Sequence, residues 1–463
     1  MSTFTFGFEG DDIDQDVEIE ERDASINAGI RQLEIAGKQN EAEKNEEGEE
    51  EEGVLIEASY CDLDEMLSTL PSQISYSMLS ICPQSSAPGI PSIAIPRREV
   101  FDIRAQLMAE DDADTNENSE LISGLEKGDL KPNVYEGGLK TWECAIDLAK
   151  LVAVEEIPSL LSEIAEGENE VTYILELGAG TAIPSLSILH HLFSQPAPQS
   201  PRRRSIRFVF ADYNAAVLRL VTVPNILLTW HTCRRHLHDP QQPEGEIPLD
   251  TECGTDADNS LKHNHIDNAD NDEQPDLDIG SSLVSTFRED LHARGISLSF
   301  ISGAWSPAFV ELALPHHSLP SVSLPSPQRR TNLLILASET IYSPSSLRPF
   351  SETLLALLRR GNDMSSAFTS TYTTDAALPS EAVTEPTVTD EHAVWKSKTK
   401  ALIAAKKVYF GVGGGVDEFL EVMKDVGCLG GNGGGEDGFF VKERAEVRDE
   451  GVGRVVLEVT VRG

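Results

Sequence analysis

A glycine-rich turn follows a short apolar run near the middle of the chain. The run from Thr172 to Leu177 ends at Gly178-Ala179-Gly180, and helical spacing begins at Pro184. Glycines in such a turn permit positive φ and let the backbone approach a ligand closely. The third glycine of the dinucleotide fingerprint is missing, because Pro184 and Ser185 occupy its region. The turn alone is therefore as consistent with a tight turn as with a ligand loop.

An acidic residue ends the next predicted strand. Asp212 follows the apolar run from Ile206 to Ala211, thirty-four residues after Gly178. A carboxylate in this position can accept hydrogen bonds from ribose hydroxyls. A nucleoside cofactor is therefore favoured, and the lack of phosphate-binding features argues against a dinucleotide. S-adenosylmethionine satisfies both conditions.

Strands alternate with helices over the second two thirds of the chain. Strands are expected at Thr172 to Leu177, Ile206 to Ala211, Leu298 to Ser302, Leu333 to Ser338 and Ala401 to Phe410, with an antiparallel pair at Gly438 to Lys442 and Gly453 to Val461. Helices are expected at Thr141 to Val152, Pro184 to Phe193, Asn214 to Leu220, Ser346 to Leu358 and Val416 to Val426. This alternation predicts an α/β fold, with a mainly parallel sheet wrapped on both faces. Farther upstream, the prolines of Ile90 to Arg104 predict extended chain.

The charge is strongly acidic and unevenly distributed. In 463 residues, 78 Asp and Glu face 37 Lys and Arg, a net charge of −41. Residues 1–53 hold eighteen acidic and four basic residues, and residues 239–279 hold thirteen acidic residues against Lys262 alone. Both stretches are predicted to be disordered, because they cannot bury enough apolar surface. The charge disfavours binding to nucleic acid and fits a basic protein partner.

The same features divide the chain. We expect an acidic tail at 1–53, a mixed N-terminal extension at 54–131 and one catalytic domain at 132–463, with insertions near 235–285, 314–329 and 361–395. No apolar run is long enough to span a membrane, and the amino terminus lacks the features of a secretory signal. The six cysteines and the histidine pairs lack metal-ligand spacing, so no metal site is expected. A monomer is expected.

Five stretches, in order, resemble one family. The run from Tyr135 to Cys144 (YEGGLKTWEC) resembles the signature before the first strand of the protein-histidine N-methyltransferases, of the seven-β-strand, S-adenosylmethionine-dependent class. The other four are Ala211 to Asn225, Gly303 to Trp305, Ser338 to Tyr342 and Ala405 to Gly415. The opening from Phe4 to Phe8 resembles fungal members. The resemblance implies a Rossmann-like sheet with strand order three-two-one-four-five-seven-six.

The resemblance also implies roles for the matching residues. Those expected to bind S-adenosylmethionine are Thr141, Trp142, Glu143, Cys144 and Ala145 at the methionine end, Gly178 and Gly180 at the carboxypropyl and ribose portion, Asp212, Tyr213 and Asn214 at the ribose, and Gly303, Ala304 and Trp305 at the adenine. Ser338 is also expected to bind the cofactor, and Ser338 to Tyr342 would form the wall between the sulfonium and the target side chain. Two departures are Ala304, where many relatives carry an acid, and Ala182, where many methyltransferases have a third glycine.

Glu339 and Tyr342 are the candidates for catalysis. Glu339 would accept a hydrogen bond from the far ring N–H of a target histidine, and Tyr342 would line the slot. Each assignment has an alternative: Glu339 as a structural carboxylate, Trp142 and Trp305 as core aromatics, and Gly413 to Gly415 as the start of a helix.

The resemblance implies a substrate histidine in a basic large-subunit ribosomal protein, the one numbered three, and a place in the cytoplasm and nucleus. Two other functions stay open. The chain could be a protein-lysine methyltransferase of the same class, or a non-catalytic acidic protein that binds basic partners.

The acidic tail is predicted to be dispensable for folding. Residues 1–53 lack the apolar periodicity of a core element, so their deletion should leave the thermal midpoint of unfolding nearly unchanged. Differential scanning calorimetry of the full-length and shortened chains tests this, and a large drop in the midpoint would show that the tail packs on the domain.

Overall fold

The computed structural model describes residues 55–82, 92–110, 122, 137–161, 169–197, 204–238, 275–315, 329–366, 399–429, 438–448 and 451–462. The predictions of disorder for 1–53 and for most of 239–279 lie outside these residues, as do Tyr135 and Glu136 of the first family motif. None of the described helices is long and apolar enough to cross a membrane.

The described segments form alternating strands and helices. The strands are β1 (Ser59–Cys61), β2 (Gln73–Ile81), β3 (Ile93–Arg98), β4 (Asn169–Leu177), β5 (Arg204–Asp212), β6 (Asp276–Asp278), β7 (Ile296–Ser302), β8 (Arg329–Ser338), β9 (Thr399–Lys406), β10 (Phe439–Val447) and β11 (Arg454–Val461). The helices are α1 (Leu63–Ser68), α2 (Val100–Glu110), α3 (Glu143–Leu151), α4 (Ile157–Leu161), α5 (Ile183–Phe193), α6 (Ala215–Val217), α7 (Val223–His238), α8 (Ser281–Arg294), α9 (Pro307–Ala313), α10 (Pro344–Ser366) and α11 (Val416–Leu429). Two π-helical turns, Val152–Glu156 and Leu218–Thr222, join α3 to α4 and α6 to α7.

A large, mostly parallel sheet forms the centre of the fold. Its strand order is β1-β7-β5-β4-β8-β9-β11-β10. The strands β7, β5, β4, β8 and β9 run parallel to one another. β1 pairs antiparallel with β7, β11 with β9, and β10 with β11. The parallel strands therefore bring their carboxyl ends to one edge, where ligand sites of open α/β sheets are found.

Helices cover both faces of this sheet, as the alternation of strands and helices predicted. One apolar cluster joins the sheet to α3, α5, α7 and α8, and includes the stacked rings of Phe208, Phe210 and Phe300. The other joins the opposite face to α9, α10 and α11, and includes Phe309, Phe350 and Phe419. The strands β3, β2 and β6 form a separate three-stranded antiparallel sheet. This sheet contributes Ile74 and Ile95 to the first apolar cluster.

The structure corrects several expected elements. β9 ends at Lys406, so the strand predicted through Phe410 is wrong in its second half. There the backbone turns back on itself, with the N–H of Tyr409 donating to the carbonyl of Gly414. Extended chain is confirmed only as far as Arg98, because α2 begins at Val100. β6 and α8 were not predicted, and all of β6 and the start of α8 lie within the range expected as an insertion near 235–285.

A buried carboxyl supports the start of α5, directly behind the glycine-rich turn. Glu176 of β4 is 1% exposed, and its Oε2 accepts a hydrogen bond from the N–H of Ser185 at 3.0 Å. Burial raises the pKa of this carboxyl to about 8, although the hydrogen bonds from Ser185 act in the opposite direction. Near neutral pH the side chain is thus held mainly as the neutral acid.

This burial predicts a pH-dependent effect of Glu176→Gln. The carboxyl pKa rises from its ordinary value of 4.5 to about 8 on folding, so its contribution to stability is complete below about pH 4.5 and is lost as the pH approaches 8. The glutamine variant cannot ionise. Its free energy of unfolding, relative to wild type, should therefore rise across that window, at most by about 1.4 kcal/mol per pH unit, and then level off.

Urea unfolding of both proteins from pH 5 to pH 9 measures this difference. A difference that does not change with pH would contradict the burial of an ionisable group at this position.

Candidate active site

The glycine-rich turn lies in close backbone contact with the segment around Gly138. Gly180 has φ of +49°, and a Cβ atom built on it would lie 3.2 Å from the Cα of Gly138. Gly138 has φ of +108°, and its own Cβ would meet Gly180 and Val217. Side chains at either position would therefore separate the turn from the segment 137–140, which belongs to the family motif before α3.

The carboxylate of Asp212 joins this turn to the end of β5. Its Oδ2 accepts the N–H of Gly180 at 3.0 Å, and its Oδ1 accepts the N–H of Asn214 at 3.1 Å. The side chain is buried. Both carboxylate oxygens of Asp212 thus hold backbone groups at this edge of the sheet.

Two side chains that we did not single out support the same turn. The hydroxyl of Thr222 donates to the carbonyl of Gly180 at 2.7 Å, and the amide of Asn225 donates to the carbonyl of Thr181 at 3.1 Å. Both side chains are buried. They lie in the stretch from Ala211 to Asn225 that resembles the family. The sequence did not predict that their side chains support the turn.

The residues expected to bind the ribose and the methionine end surround the turn. The hydroxyl of Thr141 donates to the hydroxyl of Thr181 at 3.2 Å, and Ala145 is buried in α3. Tyr213 is half-buried, and the buried Nδ2 of Asn214 has no hydrogen-bond partner among the described residues. An unpaired buried donor beside Asp212 fits a site for a polar ligand such as a nucleoside, because such a donor is costly without a partner.

The residues expected at the adenine follow β7. The N–H of Gly303 donates to the carbonyl of Asp212 at 3.1 Å, which places this segment beside the residues expected at the ribose. Ala304 is buried, and its N–H donates to the carbonyl of Ile56 at 2.9 Å. The ring of Trp305 packs edge-to-face on Phe309 and Phe350. These ring contacts are those expected of a core aromatic, and they fix the orientation of Trp305 without a ligand.

Glu339 lies in the turn after β8 and has a strained backbone. Its φ is +55°, a conformation that favours glycine. Its Oε2 accepts a hydrogen bond from the hydroxyl of Tyr409 at 2.5 Å. Its Oε1 is buried and has no hydrogen-bond partner among the described residues. A strained residue that carries an unpaired buried carboxylate oxygen is typical of a functional position.

Charged and aromatic groups surround this carboxylate. The ammonium of Lys406 lies 3.1 Å from Glu143 Oε2, 3.9 Å from Glu339 Oε1 and 5.3 Å from the centre of the Trp142 ring. Burial alone would lower the pKa of Lys406, but Glu339 and Glu143 outweigh it and raise this pKa. Burial and the charge of Glu339 both raise the pKa of the Cys144 thiol. Lys406 is thus a cation and Cys144 a neutral thiol near neutral pH.

The structure therefore brings most of the candidate residues to one edge. Trp142, Glu143 and Cys144 of the α3 start lie near Glu339, and the ring of Tyr342 packs edge-to-face on that of Tyr409 at 6.3 Å. Ser338 is the last residue of β8, directly before Glu339 in the chain, and its side chain is half-buried. Lys406 and Tyr409 lie in the stretch from Ala405 to Gly415 that resembles the family. The sequence did not predict their contacts with Glu339.

Two further features lie outside this edge. A cavity of about 490 Å³ is lined by Tyr60, Tyr173, Arg207 and His292, among others, and includes none of the candidate residues. No group of three or more His, Cys, Asp or Glu among the described residues could hold a metal ion. The histidines at 263, 265, 316 and 317 are not among those residues.

Comparison with known proteins identifies the family. No family model matches the chain. Histidine protein methyltransferase 1 of Saccharomyces cerevisiae is 32% identical over 336 residues, which are 71% of this chain and 68% of the yeast protein. The protein of the same name in Schizosaccharomyces pombe is 30% identical over 79% of this chain and 76% of its own length. The chain belongs to the histidine protein methyltransferase family.

This result confirms the resemblance drawn from the five motifs. A mouse homologue of the yeast proteins is also similar, at 25% identity over 72% of this chain and 59% of its own length. The chain is therefore an enzyme of the methyltransferase class, and such enzymes imply S-adenosylmethionine as the methyl donor. The paired glycines, Asp212 and the unpaired amide of Asn214 fit a nucleoside-containing donor.

The geometry predicts that Asp212 contributes to binding of S-adenosylmethionine. In Asp212→Asn one oxygen can still accept a backbone N–H, but the charged acceptor for the ribose hydroxyls is lost. Affinity measured by calorimetry should fall roughly ten- to a hundredfold, as expected for a hydrogen bond to a charged group.

Glu170→Gln is the matched control. Glu170 is also a buried carboxylate, at the opposite end of β4, where it contacts Arg204 and Asn332. This variant should lose stability and keep its affinity. Unchanged affinity in Asp212→Asn would remove Asp212 from the site.

Proposed function

We propose that this enzyme transfers a methyl group from S-adenosylmethionine to an imidazole nitrogen of a histidine in a protein substrate. The substrate we propose is a basic ribosomal protein of the large subunit, the one numbered three. The observation that carries the reaction is the carboxylate of Glu339, held by Tyr409 on one oxygen and without a hydrogen bond from the described residues on the other. The names of the similar yeast proteins support the target residue type.

The proposed chemistry needs orientation more than a strong base. S-adenosylmethionine, when bound, supplies an electrophilic methyl group on a sulfonium. The reference pKa of imidazole is ~6.5, so a large fraction of the target is already neutral and nucleophilic near neutral pH. Glu339 Oε1 accepts the far ring N–H, which fixes the tautomer and points the other nitrogen away from the carboxylate. The carboxylate then stabilises the positive charge that develops on the ring.

The charges at the site favour histidine over lysine as the target. A lysine with a reference pKa of ~10.4 must lose a proton before it can react. A neighbouring carboxylate such as Glu339 stabilises the ammonium form and would hold that proton in place. For an imidazole, the same carboxylate stabilises the product-like cation. The lysine alternative therefore becomes the second candidate, and its test is the identity of the methylated residue.

Two surface properties support a protein substrate. The net charge of −41 attracts a basic partner over long range. In the loop after β9, the side chains of Val408, Phe410 and Val412 are exposed, Phe410 by 79%. These apolar side chains follow directly from Tyr409 and Lys406 in sequence, at the edge that holds Glu339. Exposed apolar groups beside a site are typical of contact with another macromolecule.

The strand order supports assignment to the seven-β-strand methyltransferases. With β1 set aside, the order of the other seven strands of the large sheet is β7-β5-β4-β8-β9-β11-β10. Numbered along the chain, this is three-two-one-four-five-seven-six, the order that the resemblance implied. The antiparallel β11 enters between β9 and β10. We place the enzyme in that class, acting in the cytoplasm and the nucleus.

Methylation of a ribosomal fraction tests the proposal. With methyl-labelled S-adenosylmethionine, the wild-type enzyme should label a large-subunit protein, and amino-acid analysis should find methylhistidine. Glu339→Gln should keep its affinity for the cofactor and lose roughly ten- to a thousandfold in turnover, since it lacks the charge that stabilises the imidazolium. Wild-type activity should fall below about pH 6, as the target imidazole is protonated.

The outcomes separate the alternatives. Methyllysine, with activity that keeps rising well above neutral pH, would favour the lysine enzyme. Cofactor binding without any methylated product would favour a non-catalytic protein. Loss of cofactor affinity in Glu339→Gln would show that Glu339 belongs to the cofactor site.

A further inference from the structure

We infer that Tyr409 is a positioning residue: it binds one oxygen of Glu339 so that only the other oxygen, Oε1, faces the target imidazole. This inference rests on the proposed function and extends it from Glu339 to the side chain that orients Glu339. Its basis is the hydrogen bond of 2.5 Å from the Tyr409 hydroxyl to Glu339 Oε2.

The hydroxyl of Tyr409 can donate in one direction only. Its oxygen accepts the backbone N–H of Lys406 at 3.2 Å. With that acceptor site occupied, the single O–H hydrogen is directed to Glu339 Oε2. Burial and the charge of Glu339 raise the pKa of the phenol well above its usual value, so it stays protonated near neutral pH.

The backbone on both sides of the contact is fixed. On one side, the N–H of Glu339 donates to the carbonyl of Ala404 at 3.0 Å, in the neighbouring strand β9. On the other side, Tyr409 donates its N–H to Gly414, and Gly413 donates to the carbonyl of Tyr409. The tyrosine ring also packs on Tyr342. The phenol is therefore pre-organised, and little rotational freedom is lost when it holds the carboxylate.

The other cation near Glu339 does not take over this role. Lys406 Nζ is 3.9 Å from Glu339 Oε1, which is beyond hydrogen-bond distance, and is engaged with Glu143 at 3.1 Å. Lys406 forms only a long ion pair with Oε1, which is buried and accepts no hydrogen bond from the described residues. With Oε2 bound to Tyr409 and Oε1 without a hydrogen bond, Glu339 can act as an acceptor for a single ring N–H.

A double-mutant cycle tests this role. Tyr409→Phe keeps the ring and removes the hydroxyl, so turnover at saturating substrates should fall roughly ten- to a hundredfold, as for a hydrogen bond to a charged group. The affinity for S-adenosylmethionine should not change. In the Glu339→Gln background the same change should cost less than about twofold, because Tyr409 acts through the carboxylate.

Tyr173→Phe is the control for loss of a tyrosine hydroxyl. Tyr173 lies in β4, and its hydroxyl accepts a hydrogen bond from Arg207 at 3.1 Å. This variant should keep wild-type turnover. Glu339→Asp is a second test that leaves Tyr409 in place: its shorter side chain cannot keep both the contact with Tyr409 and the position of Oε1, so turnover should fall as in Tyr409→Phe.

The possible results are distinct. If the wild-type enzyme labels no histidine, the proposed function is wrong and this role falls with it. If the wild type is active, unchanged turnover in Tyr409→Phe overturns the role of Tyr409 and leaves the proposed function standing. Effects of Tyr409→Phe and Glu339→Gln that multiply in the double variant also overturn it, since they would show independent action.

Discussion

Asp212 accepts the N–H groups of Gly180 and Asn214 on its two oxygens, and the rest of the site depends on this arrangement. The carboxylate fixes the turn after β4 against the end of β5, at the edge where the parallel strands end. A buried carboxylate is stable only when hydrogen bonds replace its hydration. The backbone donors therefore stabilise Asp212, and Asp212 in turn holds the glycine-rich turn close to Gly138.

Glu339 is held by a different set of groups. Its neighbours are a phenol, an ammonium and a thiol, supplied by two separate segments of the chain. Lys406 lies between Glu339 and Glu143, so one cation serves two carboxylates and the cluster retains one negative charge. That residual charge suits a target that becomes positive during the reaction, and it would hinder a target that must first lose a proton.

The sequence predicted the elements whose signals are local. The apolar runs of β4, β5 and β8, the glycine turn and the motif residues from Thr141 to Cys144 were all recognisable before any contact was known. Contacts between distant residues were not. Tyr409 and Glu339 are seventy residues apart, and Tyr409 follows an apolar run that reads as a continuing strand. Helix α8 was missed because its polar start (SSLVST) follows an acidic stretch without a clear boundary.

The glycine-rich turn and the turn that carries Glu339 are packed against each other at Gly178. Gly178 has φ of +67°, and a Cβ built on it would lie 2.7 Å from Cγ2 of Thr340, the residue after Glu339. A side chain there would displace both the glycine-rich turn and the turn that carries the proposed catalytic carboxylate. The side chains of Asp212 and Tyr409 hold these turns through separate hydrogen bonds. Gly178 is therefore a point of direct packing between the two turns, and a larger residue at this position would disturb both of them together.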